Sequence, residues 1–297
     1  MRRVWRYALA LVLVAGAGAG YVTAPKRIAP EALPEYTADP GRGARIFNAG
    51  GCASCHAAPG ARGEARLVLS GGLRLKTPFG TFVAPNISPD PDHGIGAWSE
   101  ADFVSAVMLG TAPDGRHYYP AFPYTSYARM RQEDVRDLFA YLKTLPPSER
   151  ADEPHELGFP FNIRRGLGLW KLLYLSPEPV TSGGDETVAR GRYLVEGPGH
   201  CGECHTPRDP FGGLDLDRWL RGAPSPDGEG KVPDITPARL DWSAADIAYY
   251  LETGFTPDFD SAGGAMVEVI ENISRLPAED RQAIAAYLKS LAAPGGS

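Results

Sequence analysis

The first hydrophobic feature of the chain is an unbroken apolar stretch of 18 residues, Tyr7 to Ala24, directly behind Arg2, Arg3 and Arg6. As a helix rising about 1.5 Å per residue, it is just long enough to cross a hydrocarbon core of about 30 Å. Basic residues before an apolar run are the pattern of an export signal. Residues 1–30 therefore read as a retained membrane anchor, with cleavage after Ala17 or Ala19 as the alternative. In both cases the basic end stays in the cytoplasm and the rest lies on the periplasmic side of the inner membrane.

The second feature is helical periodicity that occurs twice. Val135, Leu138, Phe139 and Leu142 fall at i, i+3, i+4 and i+7, and Ile284, Tyr287 and Leu288 follow the same spacing in part. Both segments contain Ala-Tyr-Leu-Lys, at Ala140–Lys143 and Ala286–Lys289. Further upstream, Trp98-Ser-Glu-Ala-Asp102 matches Trp242-Ser-Ala-Ala-Asp246, each a serine N-cap with an acid three residues on. Gly110 and Gly254 stand where those helices should stop, and each is followed by Pro-Asp at the same distance. Arg42-Gly-Ala-Arg-Ile-Phe47 pairs with Arg190-Gly-Arg-Tyr-Leu194, and Pro85-Asn-Ile-Ser-Pro89 with Pro233-Asp-Ile-Thr-Pro237. The chain thus reads as two copies of one unit, residues 36–147 and 185–293, joined by a linker over 148–184. The linker holds Phe159-Pro-Phe161, Arg164, Arg165 and Leu167-Gly-Leu-Trp170-Lys171. It reads as a connector packed across both units, with a membrane surface or a partner as the other possible contact.

Composition sharpens this picture. Thirty-five glycines and 28 prolines make about a fifth of the 297 residues, well above the usual share of about 12%. Short helices held by long loops follow, and such a design needs something inside to pack around. The net charge is −6, and beyond residue 30 acidic groups outnumber basic ones 36 to 25. An acidic body repels phosphate, which argues against nucleic acid as a partner.

The four cysteines stand in identical frames, Cys52-Ala-Ser-Cys55-His56 and Cys201-Gly-Glu-Cys204-His205. On a helical turn, residues i, i+3 and i+4 share a face. Two thiols can then bond the two vinyl groups of one porphyrin, and the imidazole reaches its iron from below, which is the c-type haem attachment pattern. A zinc site would want the two pairs close in sequence, and they lie about 150 residues apart. A thiol redox pair would want a βαβ surround, which is missing. The implied cofactors are two covalently bound haem c groups.

Electron-carrying haems are commonly closed by methionine on the other side. Beyond Met1 the chain offers Met108, Met130 and Met266. Met266 sits in a Gly-rich loop of the second unit and is the expected ligand there. Counting from the matched Pro-Asp pairs, its counterpart in the first unit is Phe122, which cannot bind iron. Met130 is the leading choice for the first haem, against His117, Met108 or an open position. Pro59 and Pro207 are possible carbonyl partners for the two imidazoles. Trp98 and Trp242 are expected either beside the haems or in ordinary cores. His93 and His155 read as solvated loop residues, and His200 as pointing away from the haem.

With these residues in view, the sequence resembles the dihaem cytochromes c, and in particular the cytochrome c subunits of membrane-bound alcohol and gluconate dehydrogenases. The resemblance implies an all-α fold of two tandem class I-like cytochrome c domains, loop-rich, behind the N-terminal signal or anchor helix. It also implies electron transfer from an exported dehydrogenase toward a quinone, cytochrome or oxidase, with no catalytic residues in this chain. Those subunits carry three attachment motifs where this chain has two, and some relatives have methionine where Phe122 stands. The competing reading is a dihaem enzyme of peroxidase or thiosulfate-oxidising type with one exchangeable haem.

Overall fold

A computed structural model describes residues 2–225 and 230–291. Helix α1 (Arg2–Val22) projects from the body, and its side chains, Leu9, Leu13 and Tyr21 among them, are exposed. Residues Arg3–Val22 are long and apolar enough to cross a membrane by length and composition.

The body is built on two helix crossings of the same design. In the first, α2 (Pro40–Ala49) packs on α6 (Gln132–Leu142). In the second, α8 (Glu186–Glu196) packs on α12 (Ala278–Ser290). A glycine lies at each contact. A Cβ on Gly43 would stand 2.0 Å from the Asp137 carbonyl oxygen, and one on Gly191 would stand 1.9 Å from that of Ala283. The backbones therefore touch where any side chain would hold them apart. Each crossing is pinned by an arginine one residue before its glycine. Arg42 Nε donates to Asp137 at 2.7 Å, and Arg190 Nε to Asp280 at 2.8 Å.

The capped helices are α4 (Glu100–Leu109) and α10 (Ala244–Thr253). Ser99 with Asp102 and Ser243 with Asp246 form complete capping boxes, satisfying the first free backbone N–H groups. Gly110 and Gly254 end the helices in the left-handed conformation, with φ of 58° and 78°. Two hydrophobic cores result. One holds Phe47, Leu69, Val104, Val135 and Leu142, the other Leu194, Val195, Leu220, Ala285 and Tyr287. Each large apolar side chain buried here contributes roughly 1.5–3 kcal/mol.

The fold is mostly helical but not all-α. A small sheet orders β1 (Arg74–Thr77), β2 (Gly80–Val83) and β3 (Glu156–Leu157), with Arg74 opposite Val83 and Gly80 opposite Leu157. A second pairs β4 (Arg221–Pro224) with β5 (Lys231–Asp234). The strands are two to four residues long, too short for a period of two to stand out in the sequence. The segment after Gly264 also departs from expectation. It forms α11 (Ala265–Ile273), so Met266 lies in the first turn of a helix rather than in a loop.

Candidate functional site

Each cysteine motif forms a short helix that begins after a tight turn. Gly51, at φ 55°, starts α3 (Cys52–His56), and α9 (Gly202–His205) carries the second motif directly after Cys201. One helical turn brings the two thiols and the imidazole of each motif to a common face. In the second motif Gly202 is required for packing, because a Cβ there would meet the Trp219 ring at 2.2 Å. All four cysteines are free thiols. Burial, followed by the neighbouring thiol, pushes Cys52 and Cys201 up to about 12, so both are protonated at neutral pH. Cys55 and Cys204 are exposed residues, but they line a protein-walled cavity, and burial raises both thiols.

Each imidazole is fixed by a carbonyl from a loop that returns almost thirty residues later. His56 Nδ1 lies 2.9 Å from the Pro85 carbonyl oxygen, and His205 Nδ1 lies 2.8 Å from that of Pro233. The expected suppliers Pro59 and Pro207 do not fill this role. The true ones open the paired Pro-Asn-Ile-Ser-Pro and Pro-Asp-Ile-Thr-Pro stretches, which explains why those stretches recur. Desolvation lowers both histidines, so each is neutral. A neutral ring that donates through Nδ1 keeps the Nε2 lone pair for a metal.

Both motifs line one continuous cavity of about 2000 Å³, whose walls include Leu75, Phe103, Leu138, Ile247 and Leu251. A single ligand pocket is typically about 300–1,000 Å³, so there is room for two large cofactors. The residues fit haem c on four counts: paired thiols, a neutral imidazole with one nitrogen already committed, apolar walls, and volume. Among the described residues no group of three or more His, Cys, Asp or Glu could hold a bare metal ion.

Met130, Met266, Trp98 and Trp242 all line the cavity, and each tryptophan also packs against the core of its own unit. Met108 and His117 do not line it. Met108 packs against the first core, and His117 Nε2 donates to the Thr23 carbonyl at 3.0 Å. The loops after α4 and α10 superpose residue for residue in their hydrogen bonding. Tyr118 N–H donates to Gly110 as Ala262 N–H donates to Gly254, and the bridges Thr111–His117 and Phe255–Ser261 correspond. Phe122 therefore occupies the place of Met266. Met130 has a different counterpart, Leu276. Each donates its N–H to the carbonyl three residues back, and both are buried. His155 is half-buried on the cavity wall rather than a free loop side chain. Its Nδ1 accepts from Val83 N–H at 3.1 Å, and its ring packs edge-on to Phe82 and Tyr119. His93 pairs with Asp90 beside the cavity. His200 also lines the cavity and meets the Tyr127 ring edge-on, so it does not point away.

The two motif helices are each clasped by the other half of the chain. Ser54, inside the first motif, accepts from Asn272 of α11 at 2.9 Å. Glu203, inside the second motif, accepts from Thr125 and Ser126 of α5 (Tyr124–Tyr127) at 3.1 and 2.8 Å. Arg66, almost fully buried, adds ion pairs to Glu268 and Glu271 of α11. These contacts bring Cys204 near enough to Cys55 that its charge adds to burial in raising the Cys55 thiol. Sequence reading missed this clasp, since partners more than 70 residues apart leave no local signal.

Fold and site together define a covalent-haem protein. The cytochrome c family model matches residues 41–146. A "Diheme cytochrome c-type" protein from Cereibacter sphaeroides is 62% identical over 294 residues, covering 99% of both chains. The cytochrome c subunit of alcohol dehydrogenase (quinone) from Komagataeibacter europaeus is 38% identical over 272 residues, covering 84% of this chain and 55% of its own. The gluconate 2-dehydrogenase cytochrome c subunit from Pantoea cypripedii is 36% identical over 272 residues, 86% and 60% respectively. The chain thus spans little more than half the length of these dehydrogenase subunits. It belongs to the dihaem cytochromes of the cytochrome c family.

Proposed function

We propose that this chain is an electron carrier with two covalently bound haem c groups, one in each of two tandem cytochrome c domains, residues 36–147 and 185–293, joined by 148–184. Cys52, Cys55 and His56 hold the first haem, and Cys201, Cys204 and His205 the second. Met130 and Met266 take the sixth positions. The observation that carries this reading is the pair of motif imidazoles, each neutral and fixed by a matching proline carbonyl on the wall of one cavity. Bound haem supplies reversible one-electron exchange at iron. The chain's own part is to exclude water with apolar walls, fix both imidazoles, and hold the Cys55 and Cys204 edges side by side. The donor is a dehydrogenase on the periplasmic side, by likeness to the dehydrogenase subunits, and the acceptor is a quinone, a cytochrome or an oxidase. The N-terminal residues 1–30 anchor the body to the inner membrane.

The test is the holoprotein with Met130→Ala and with Met266→Ala. Each variant is expected to lose the methionine-ligated absorption of one haem and to bind carbon monoxide at that haem when reduced. The intact mass should exceed the polypeptide by two haems. A second reading, a dihaem enzyme with an open first iron, rests on Phe122 at the Met266 position alone. Rapid carbon monoxide binding by the reduced unsubstituted protein would decide for that reading and against Met130.

A further inference from the structure

Helix α7 (Gly166–Tyr174) lies in the connector, and its inner face is well anchored. Lys171 is buried and donates to the Leu109 and Gly110 carbonyls at 2.7 and 2.6 Å, capping the end of α4. A Cβ on Gly168 would stand 2.3 Å from the Thr23 carbonyl oxygen, so α7 touches the chain just where α1 ends. Arg165 also donates to the Gly20 carbonyl in the last turn of α1.

The outer face is what a soluble helix does not present. Leu169, Leu172 and Leu173, at i, i+3 and i+4, are 57%, 49% and 68% exposed. Polar residues belong on such a face. Phe159, in the loop before α7, is 81% exposed, and Phe211, in a later loop, is 73% exposed. Trp170 joins α7 to the Phe211 loop by donating Nε1–H to the Phe211 carbonyl at 3.0 Å. Large apolar side chains exposed together in this way mark an interaction site.

We propose that this face lies in the headgroup and upper acyl region of the bilayer that α1 crosses, so that the body is seated on the membrane by α7 as well as tethered by α1. The proposal rests on the anchor reading of residues 1–30. Two observations select lipid. α7 is about 14 Å long and touches α1 at its outer end, so the leucines stand at the level where the chain leaves the hydrocarbon. Tyr21, 84% exposed, and Arg165, held to the last turn of α1, supply an aromatic and a cationic group of the kind that settle at membrane interfaces.

The test uses the full-length holoprotein in phosphatidylcholine–phosphatidylglycerol vesicles. These carry a lipid with a photoactivatable diazirine near the carbonyl level, and labelled peptides are mapped by mass spectrometry. Label is expected on residues 159–174 and on Phe211 as well as on α1. A Leu169→Ser, Leu172→Ser, Leu173→Ser triple variant should lose label on 163–174 several-fold while α1 keeps its own. Label confined to α1 overturns the proposal and leaves the anchor reading standing. Label on neither segment overturns both, and label on α7 without α1 overturns the anchor reading and with it the two-point attachment proposed. Protection of 163–174 by an added dehydrogenase, with no lipid label there, would assign the face to a protein and overturn the proposal.

Discussion

Gly43→Ala tests the helix crossing on which the first half is built. The added Cβ would stand 2.0 Å from the Asp137 carbonyl oxygen, 2.5 Å from its carbon and 2.8 Å from Tyr141 Cβ. Ordinary contact begins at 3.4 Å, and the nearest atoms are backbone, which no rotamer change can remove. α2 and α6 must therefore part, loosening Phe47 against the Tyr141 ring and stretching Arg42 away from Asp137. Overpacking of this kind costs about 1–3 kcal/mol, and the better helix propensity of alanine returns at most about 1 kcal/mol. The net loss is about 1–2 kcal/mol, which at a urea slope of about 1–3 kcal/mol/M lowers the midpoint by roughly 1 M. The assay is urea unfolding of the holoprotein followed by far-ultraviolet circular dichroism. Gly191→Ala should behave alike, since its Cβ would stand 1.9 Å from the Ala283 carbonyl oxygen. Gly166→Ala has nothing within 4 Å and should leave the midpoint unchanged or raise it slightly. Midpoints of Gly43→Ala and Gly191→Ala equal to the parent would refute the close-contact reasoning.

Three further outcomes can be checked. Arg66→Ala should cost about 1–2 kcal/mol, because it removes two ion pairs whose carboxylates are about half exposed; a chemical-denaturation midpoint that does not move would count against the clasp. Burial alone would raise Asp137, but Arg42, the Asp39 N–H and Tyr36 outweigh it and hold the group below its ordinary value. Its contribution to stability is therefore present above an unfolded pKa of about 3.9 and lost as pH falls through the lower folded value. Asp137→Asn should flatten the acid limb of a stability-against-pH curve, and an unchanged limb would contradict this. Finally, adding Phe122→Met to Met130→Ala should restore methionine-ligated absorption at the first haem, since position 122 matches Met266; a spectrum that stays as in Met130→Ala would refute that equivalence.

What could be read from the sequence was local. The Cys-x-x-Cys-His frames, the serine caps with Asp102 and Asp246, and the stops at Gly110 and Gly254 act within a few residues, and spacing alone exposes them. The repeated Pro-Asn-Ile-Ser-Pro and Pro-Asp-Ile-Thr-Pro stretches were visible, but their use was not. Carbonyls of Pro85 and Pro233 reach His56 and His205 only after the loops fold back, so proximity in sequence suggested Pro59 and Pro207 instead. The short strands escaped notice because two to four residues hold no readable period. His155 resembled a solvated loop histidine until Phe82 and Tyr119 closed over it. The clasp of Ser54 by Asn272 joins positions 218 apart, and only the assembled structure reveals it.

The reciprocal grip of the two motif helices bears on whether the molecule could be divided. Severing the chain at its connector would leave Ser54 without Asn272, Glu203 without Thr125 and Ser126, and Arg66 as a stranded cation facing water. Each fragment would keep a motif helix but forfeit the neighbour that steadies it, and the shared chamber would be laid open along its length. The segments that carry the two motifs are thus each part of the other's scaffold.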